Sequence, residues 1–180
     1  MLWEALFTLR LKMKVKIGEL KIQNFEKFHK FAQKFILKQF LAYPLWARKF
    51  YWKTDFKRSE LKEAIRNKKK AVVVATFEEK IIGFAIVSFD RGGGANCPWL
   101  GVDVNFRNRG IGTSLVEEIE KLARQHKCHF MYLHTENENN IGFYQKRGYY
   151  LVGLQKESWC GINEYLMQKN LGKPFSQQWR

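Results

Sequence analysis

Two glycines in the run FRNRGIGTS, Gly110 and Gly112, leave the backbone open to a ligand that side chains would otherwise keep away. A helix starting there sets unpaired N–H groups and the positive end of its dipole behind that backbone, and Arg107 and Arg109 add full charges. Together these features describe a cradle for a pyrophosphate. The same G-x-G also suits a tight turn packed under a helix, so the loop alone leaves both readings open. One strand further on, NENNIGFYQKRGYY supplies Asn137, Tyr144 and Gly148 on a short helix. Just before it, Tyr132 and His134 share one strand face by alternation, and Glu136 follows the strand. Cys97, Cys128 and Cys160 are odd in number, widely spaced and without a C-x-x-C or a nearby histidine pair. They read as reduced thiols in a cytoplasmic protein, and no metal is expected.

Positioning these groups demands a definite order of elements. Met13, Val15 and Ile17 alternate with Lys14 and Lys16, which predicts a half-buried strand within residues 12–20. Asn24 offers a cap to an amphipathic helix whose Phe28, Phe31, Ala32, Phe35, Ile36 and Phe40 recur at three- and four-residue spacing, with Pro44 ending the run. A second helix over 59–70 carries Leu61, Ala64 and Ile65 on one side and closes on three lysines, where cations suit the dipole. AVVVATF at 71–77 and IIGFAIVSF at 81–89 predict an antiparallel hairpin. RGGGAN at 91–96 reads as a loop leading into a strand at 99–104. Next comes a helical stripe of Ile111, Leu115, Val116, Ile119, Leu122 and Ala123, with Glu117, Glu118, Glu120, Lys121 and Arg124 covering the other side. A strand at 128–134, a short helix near 141–146 and strands near 149–156 and 163–168 complete the order β-α-α-β-β-β-α-β-α-β-β.

With R-x-x-G-x-G at Arg107, Gly110 and Gly112, VDVNF before it, the segment from Asn137 through Phe143 and Tyr144 to Tyr149, and the hairpin EEKIIGFAIV, the chain resembles the GCN5-related N-acetyltransferase (GNAT) superfamily over roughly residues 13–168. The resemblance implies an α/β protein with the acyl-CoA N-acyltransferase fold, a mixed sheet splayed between strand four at 99–104 and strand five at 128–134. The pantetheine arm of acetyl-CoA would lie in that gap. Val102 and Val104 would offer it backbone groups, and Arg107 would add charge. The N–H groups of Arg109, Gly110, Ile111, Gly112 and Thr113 would hold the pyrophosphate. Asn137 would bind the arm from the opposite wall, with Asn140, Phe143 and Lys146 near the adenine end or the 3′-phosphate. Structural alternatives are a helix cap for Asn137, core for Phe143 and a solvated charge for Lys146, the last being favoured there.

The implied activity is direct transfer of acetyl from acetyl-CoA to an amine, an acyltransferase reaction with no acyl-enzyme, Cys128 being core on strand five. Tyr144 is implied as donor of a proton or hydrogen bond to the departing thiolate. Its alternative is an aromatic on a buried helix face. A base is needed, because a lysine-like ammonium is free amine in only about one molecule in several thousand at pH 7. His134 ranks ahead of Glu136, and a water chain needing neither is a third option. The glutamate that serves ribosomal-protein N-terminal acetyltransferases would fall at Tyr132, so that mechanism does not carry over.

The chain's 180 residues, 46% hydrophobic with three prolines, exclude global disorder and indicate one domain over 13–170, with an extension at 1–12 and a tail at 171–180. MLWEALFTLR lacks the basic start and small-residue cleavage site of a signal peptide, and no stretch nears the roughly 20 apolar residues of a membrane span, so a cytoplasmic protein without membrane contact is expected. A formal charge of +15 attracts phosphates, nucleic acid or acidic partners without choosing among them. Residues 40–58 interleave rings with cations, which suits an acceptor lining, an RNA surface or, as favoured for most of them, a packed helix edge. The expected partners are acetyl-CoA and an amine acceptor, in a monomer or homodimer. Two rival readings are a non-catalytic CoA-binding regulatory domain and a basic RNA-binding module; nucleic acid is not favoured.

Overall fold

The computed structural model describes residues 14–174, so the expected extension at 1–12 and residues 175–180 of the tail lie outside it. Strand β1 (Lys16–Glu19) leads through a short 3-10 turn into α1 (Phe25–Lys38), α2 (Leu45–Lys53) and α3 (Arg58–Arg66). Then follow β2 (Lys70–Phe77), β3 (Lys80–Phe89), β4 (Gly94–Val102), α4 (Ile111–Gln125), β5 (Phe130–Thr135), α5 (Asn139–Gln145), β6 (Tyr150–Gln155) and β7 (Glu164–Asn170). The sheet runs β1-β2-β3-β4-β5-β7-β6, antiparallel throughout except for the parallel β4–β5 pair.

Two cores sandwich this sheet. On one face Ile111, Leu115, Ile119 and Ala123 of α4 pack on Val73, Ala85 and Val87. On the other, Phe28, Ala32 and Phe35 of α1 meet Phe56, Phe84 and Trp99. Phe84 is the hub, its ring 5.5 Å from those of both Phe28 and Phe35. Full burial of such a side chain contributes about 1.5–3 kcal/mol, which is how an aromatic α1 is held on the sheet. The β2–β3 register shifts beside Ala75 and Thr76, so Ile82 shares a face with Ala85 rather than with Phe84.

Several expectations are corrected. Three helices, not two, separate β1 from β2. Pro44, expected to end the first helix, stands at the N-cap of α2, inside the ring-and-cation run; Ala47 and Tyr51 of α2 turn inward while Trp46 and Phe50 stay exposed. Asn24 makes no side-chain cap, and the chain enters α1 through the turn Ile22–Asn24 instead. β4 starts at Gly94, inside the supposed glycine loop, because β3 pairs Phe89 with Ala95 and Ser88 with Asn96. It ends at Val102, before Val104, and its register against β3 shifts near Pro98, which has no N–H to give a ladder. Cys128 precedes β5, its thiol donating to the carbonyl of Gly94 at 3.3 Å. Glu120, expected on the polar side of α4, is 4% exposed and accepts from Lys169 Nζ at 2.8 and 2.7 Å.

Candidate active site

β4 and β5 pair only from Gly94–Asn96 to Phe130–Tyr132. Past that point β4 follows β3 while β5 follows β7, and the strands part. Two cavities open beside the split. The first, about 780 Å³, lies among the end of β4, the start of α4, α5 and the C-terminal end of α1. The second, about 550 Å³, lies among α2, β4 and β5. Phe40, Leu100, Glu136, Asn140 and Tyr144 line both, so the cavities meet at those residues.

The first cavity brings together most of the residues singled out for cofactor binding: Val102, Arg107, Gly110, Ile111, Gly112, Thr113, Asn137, Asn140 and Phe143. Gly110 caps α4 at φ 80°, a left-handed conformation that glycine adopts without strain, and no side chain caps the helix. The N–H groups of the first turn have no intrahelical acceptor and carry the positive end of the dipole toward the cavity. Gly112 differs from Gly110. A Cβ there would meet Phe143 at 3.4 Å and Val102 at 4.0 Å, both ordinary contacts, so nothing inside the protein demands glycine at that position. A ligand pressed on the backbone would.

Other expected members sit elsewhere. Val104 lies beyond the strand in a 3-10 turn, outside the cavity lining, and its N–H donates to Gln39 Oε1 at 3.1 Å. The carbonyl of Val102 accepts from Arg107 Nε at 3.1 Å. Arg109 is off the lining with its guanidinium 5.6 Å from the Phe106 ring, and Lys146 is exposed at the end of α5. Sequence reasoning missed Arg147, which lines the cavity 3.5 Å over the Phe143 ring and donates to the Phe143 carbonyl and to Thr113 Oγ1. Its Nε is buried without a partner. The signal was present in part, since Arg147 follows Phe143 by four residues, one turn further along the direction of α5 and just past its end. Gln39 was missed too. Its Nε2 donates to Asp103 Oδ2 at 3.0 Å, tying the end of α1 to the end of β4, a contact across 64 positions that no local pattern announces.

In the second cavity His134 and Tyr132 lie side by side, rings 6.3 Å apart and edge to face. Tyr132 donates to Asp90 Oδ2 at 2.8 Å, and burial with that partner pushes its phenol up to about 12. His134 touches this cavity alone, whereas Glu136 reaches both. Burial raises the Glu136 carboxyl above the ordinary carboxylate value, its own backbone N–H opposes the rise, and the charge of Glu164 adds to it. Burial also drives the Tyr144 phenol well up, with the neighbouring Cys97 and Glu136 adding to the rise and Arg147 opposing it. Cys97 lines the second cavity, and burial pushes its thiol up to about 12.

Residues 33–149 match the sequence model of the Acetyltransferase (GNAT) family. The chain belongs to that family. Over 77 residues it is 39% identical to the protein YdhI of Bacillus subtilis (strain 168), spanning 42% of this chain and 46% of that one. Over another 77-residue match it is 30% identical to the N-alpha-acetyltransferase RimI of Mycobacterium tuberculosis, spanning 42% of this chain and 48% of that one. The chain thus spans about half the length of the curated relatives it matches. Among solved structures, the PaiA N-acetyltransferase of Thermoplasma acidophilum in complex with coenzyme A superimposes with a TM-score of 0.67 at 17% identity, over 87% of this chain and 98% of that one. The seven-stranded mixed sheet with its parting β4–β5 pair is therefore the GNAT fold. Among the described residues no group of three or more His, Cys, Asp or Glu is placed to hold a metal, and no helix is long and apolar enough to cross a membrane.

Proposed function

We propose that this GNAT protein is an N-acetyltransferase that passes the acetyl group of acetyl-CoA directly to an amine. One observation carries the reading: a cavity suited to a polyanionic cofactor and a second, separate cavity meet at Tyr144 and Glu136. The first cavity fits acetyl-CoA through the bare N-terminus of α4, Arg107, Arg147 and a Gly112 that only a ligand requires. Asn137 and Asn140 bound its far wall. Acetyl-CoA supplies an acyl group activated as a thioester and a thiol that leaves.

Glu136, rather than His134, is placed to take the amine proton, because it alone of the two reaches the junction. Its raised carboxyl narrows the gap to the ammonium, which makes it a better base than an ordinary glutamate. The amine nitrogen then attacks the thioester carbonyl. A C–N bond forms and the C–S bond breaks; the nitrogen's second proton passes to the departing sulfur, so that CoA leaves as the thiol beside the Tyr144 hydroxyl, and Glu136 gives the first proton up to solvent. No acyl-enzyme enters this scheme. With its thiol pushed up to about 12, Cys97 is ionised in only about one molecule in 10⁵ at pH 7. The three free thiols suit a reducing compartment, and the proposal includes a cytoplasmic setting.

The test is amine-dependent release of CoA thiol. Tyr144→Phe should slow it about a hundredfold while the affinity for CoA changes less than about twofold. CoA that fails to bind, or thiol release indifferent to added amine, would overturn the reading.

A further inference from the structure

The lining of the second cavity runs against the composition of the chain. Lys and Arg outnumber Asp and Glu 32 to 17, yet this cavity has three carboxylates, Asp55, Glu136 and Glu164, against the single cation Lys70. None of the three carboxylates forms an ion pair among the described residues. Their donors are neutral: Trp99 Nε1 gives its hydrogen to Asp55 at 3.0 Å, and Tyr43 and Ser158 give theirs to Glu164, which is 3% exposed. Withdrawing negative charge from water without a cation is costly, so the site is built for a positive charge that arrives from outside. Aromatic faces line the same space, among them Phe50, Tyr51, Trp99 and Trp159, and such faces attract cations.

A second, independent observation points the same way. The Oδ1 of Asn96, on the wall of this cavity, is buried and has no hydrogen-bond partner. An orphaned acceptor calls for a donor, and an ammonium brings three. Asn96 and Asp55 line the second cavity alone, whereas Glu136 lies at the junction with the first. The site therefore offers negative or accepting groups both at the reacting end and away from it.

We propose that the acceptor is a small dicationic amine, its reacting nitrogen at Glu136 and a second ammonium held by Asp55 and Asn96 against the Trp99 indole. This rests on the transferase reading for the reacting end only. Occupancy of the Asp55 end is a matter of binding and is read without turnover.

The experiment is calorimetric titration of the protein, alone and saturated with CoA, with 1,4-diaminobutane, 1-aminobutane and 4-aminobutanoate, followed by thiol-release assays of the same three. The diamine should bind at least about tenfold more tightly than the monoamine, as one added charge-assisted contact provides, and the amino acid most weakly. In Asp55→Asn, whose amide oxygen still accepts from Trp99, the preference for the diamine over the monoamine should shrink to less than about threefold. Equal binding of monoamine and diamine, or amino-acid binding as tight as the diamine, overturns the inference, and the wild-type series decides this even if the variant fails to fold. Loss of CoA binding with the diamine preference intact overturns the transferase reading and leaves the cation site standing. Amine-dependent thiol release that treats monoamine and diamine alike does the reverse.

Discussion

In the proposed reaction the roles of Tyr144 and Glu136 rest on burial, which raises both groups. A phenol raised above its ordinary value of 10.0 lies further still above a thiol near 8.5, so full proton transfer to the sulfur is uphill. Its contribution to the proposed reaction would be a hydrogen bond aimed at the developing charge, which Phe cannot supply. For Glu136 the sign is the reverse of that of an ion-paired carboxylate. The folded state holds the proton more tightly than the unfolded one, so the stability linked to this group is full below about 4.5 and is lost as pH rises through the raised folded value. Glu136→Gln should therefore melt above the wild type at pH 7, the difference closing as the pH falls toward 4. Catalysis runs the other way: the wild-type rate should fall with acid through a pKa above 4.5, and the Gln variant should be slow and lack that limb. Strand alternation was enough to place His134 and Tyr132 on one face. It was silent on Glu136, which lies past the last paired residue, where position depends on how the chain leaves β5.

At the level of elements, the proposed cofactor site rests on the start of α4, which opens uncapped onto the first cavity. Gly112 has helical geometry and ordinary space around its missing Cβ, so Gly112→Ala should keep the fold and gain up to about 1 kcal/mol of stability from helix propensity. The same change should weaken CoA binding about tenfold or more, read by titration calorimetry beside thermal melts; unchanged affinity would remove the backbone from the cradle. Gly101 makes the opposite case. A Cβ there would fall 2.4 Å from the Phe35 ring, so Gly101→Ala should cost about 1–3 kcal/mol by overpacking, seen as a lower melting temperature. The period of α4 and the branched runs of β2 and β3 were legible because each buries a regular face on neighbours near in sequence. α2 and the first half of β4 were not. GANCP has no strand propensity to show, and it becomes a strand only because the edge of β3 is there to pair with it.

Across the whole molecule, charge is sorted rather than spread. Arg107 and Arg147 line the first cavity, Asp55 and Glu164 line the second, and Glu136 lies where the two meet. A buried ion pair joins the layers, Lys169 of β7 reaching Glu120 of α4 at 2.7 Å, with Arg124 at 3.5 Å. Lys169→Ala strands a buried carboxylate beside a more distant arginine, and chemical denaturation should show a loss of about 3 kcal/mol. By itself the sequence determined the order of most elements, the glycine-opened helix start and the presence of Asn137 and Tyr144 one strand beyond it, because periodicity and turn chemistry are local properties. The tertiary structure alone decided that β4 and β5 part after three paired residues, that the two cavities meet at Tyr144 and Glu136, and that Glu120 is interior. Those facts depend on contacts between positions far apart in the chain and on how much water is excluded at each group, and neither quantity is written in any short stretch of residues.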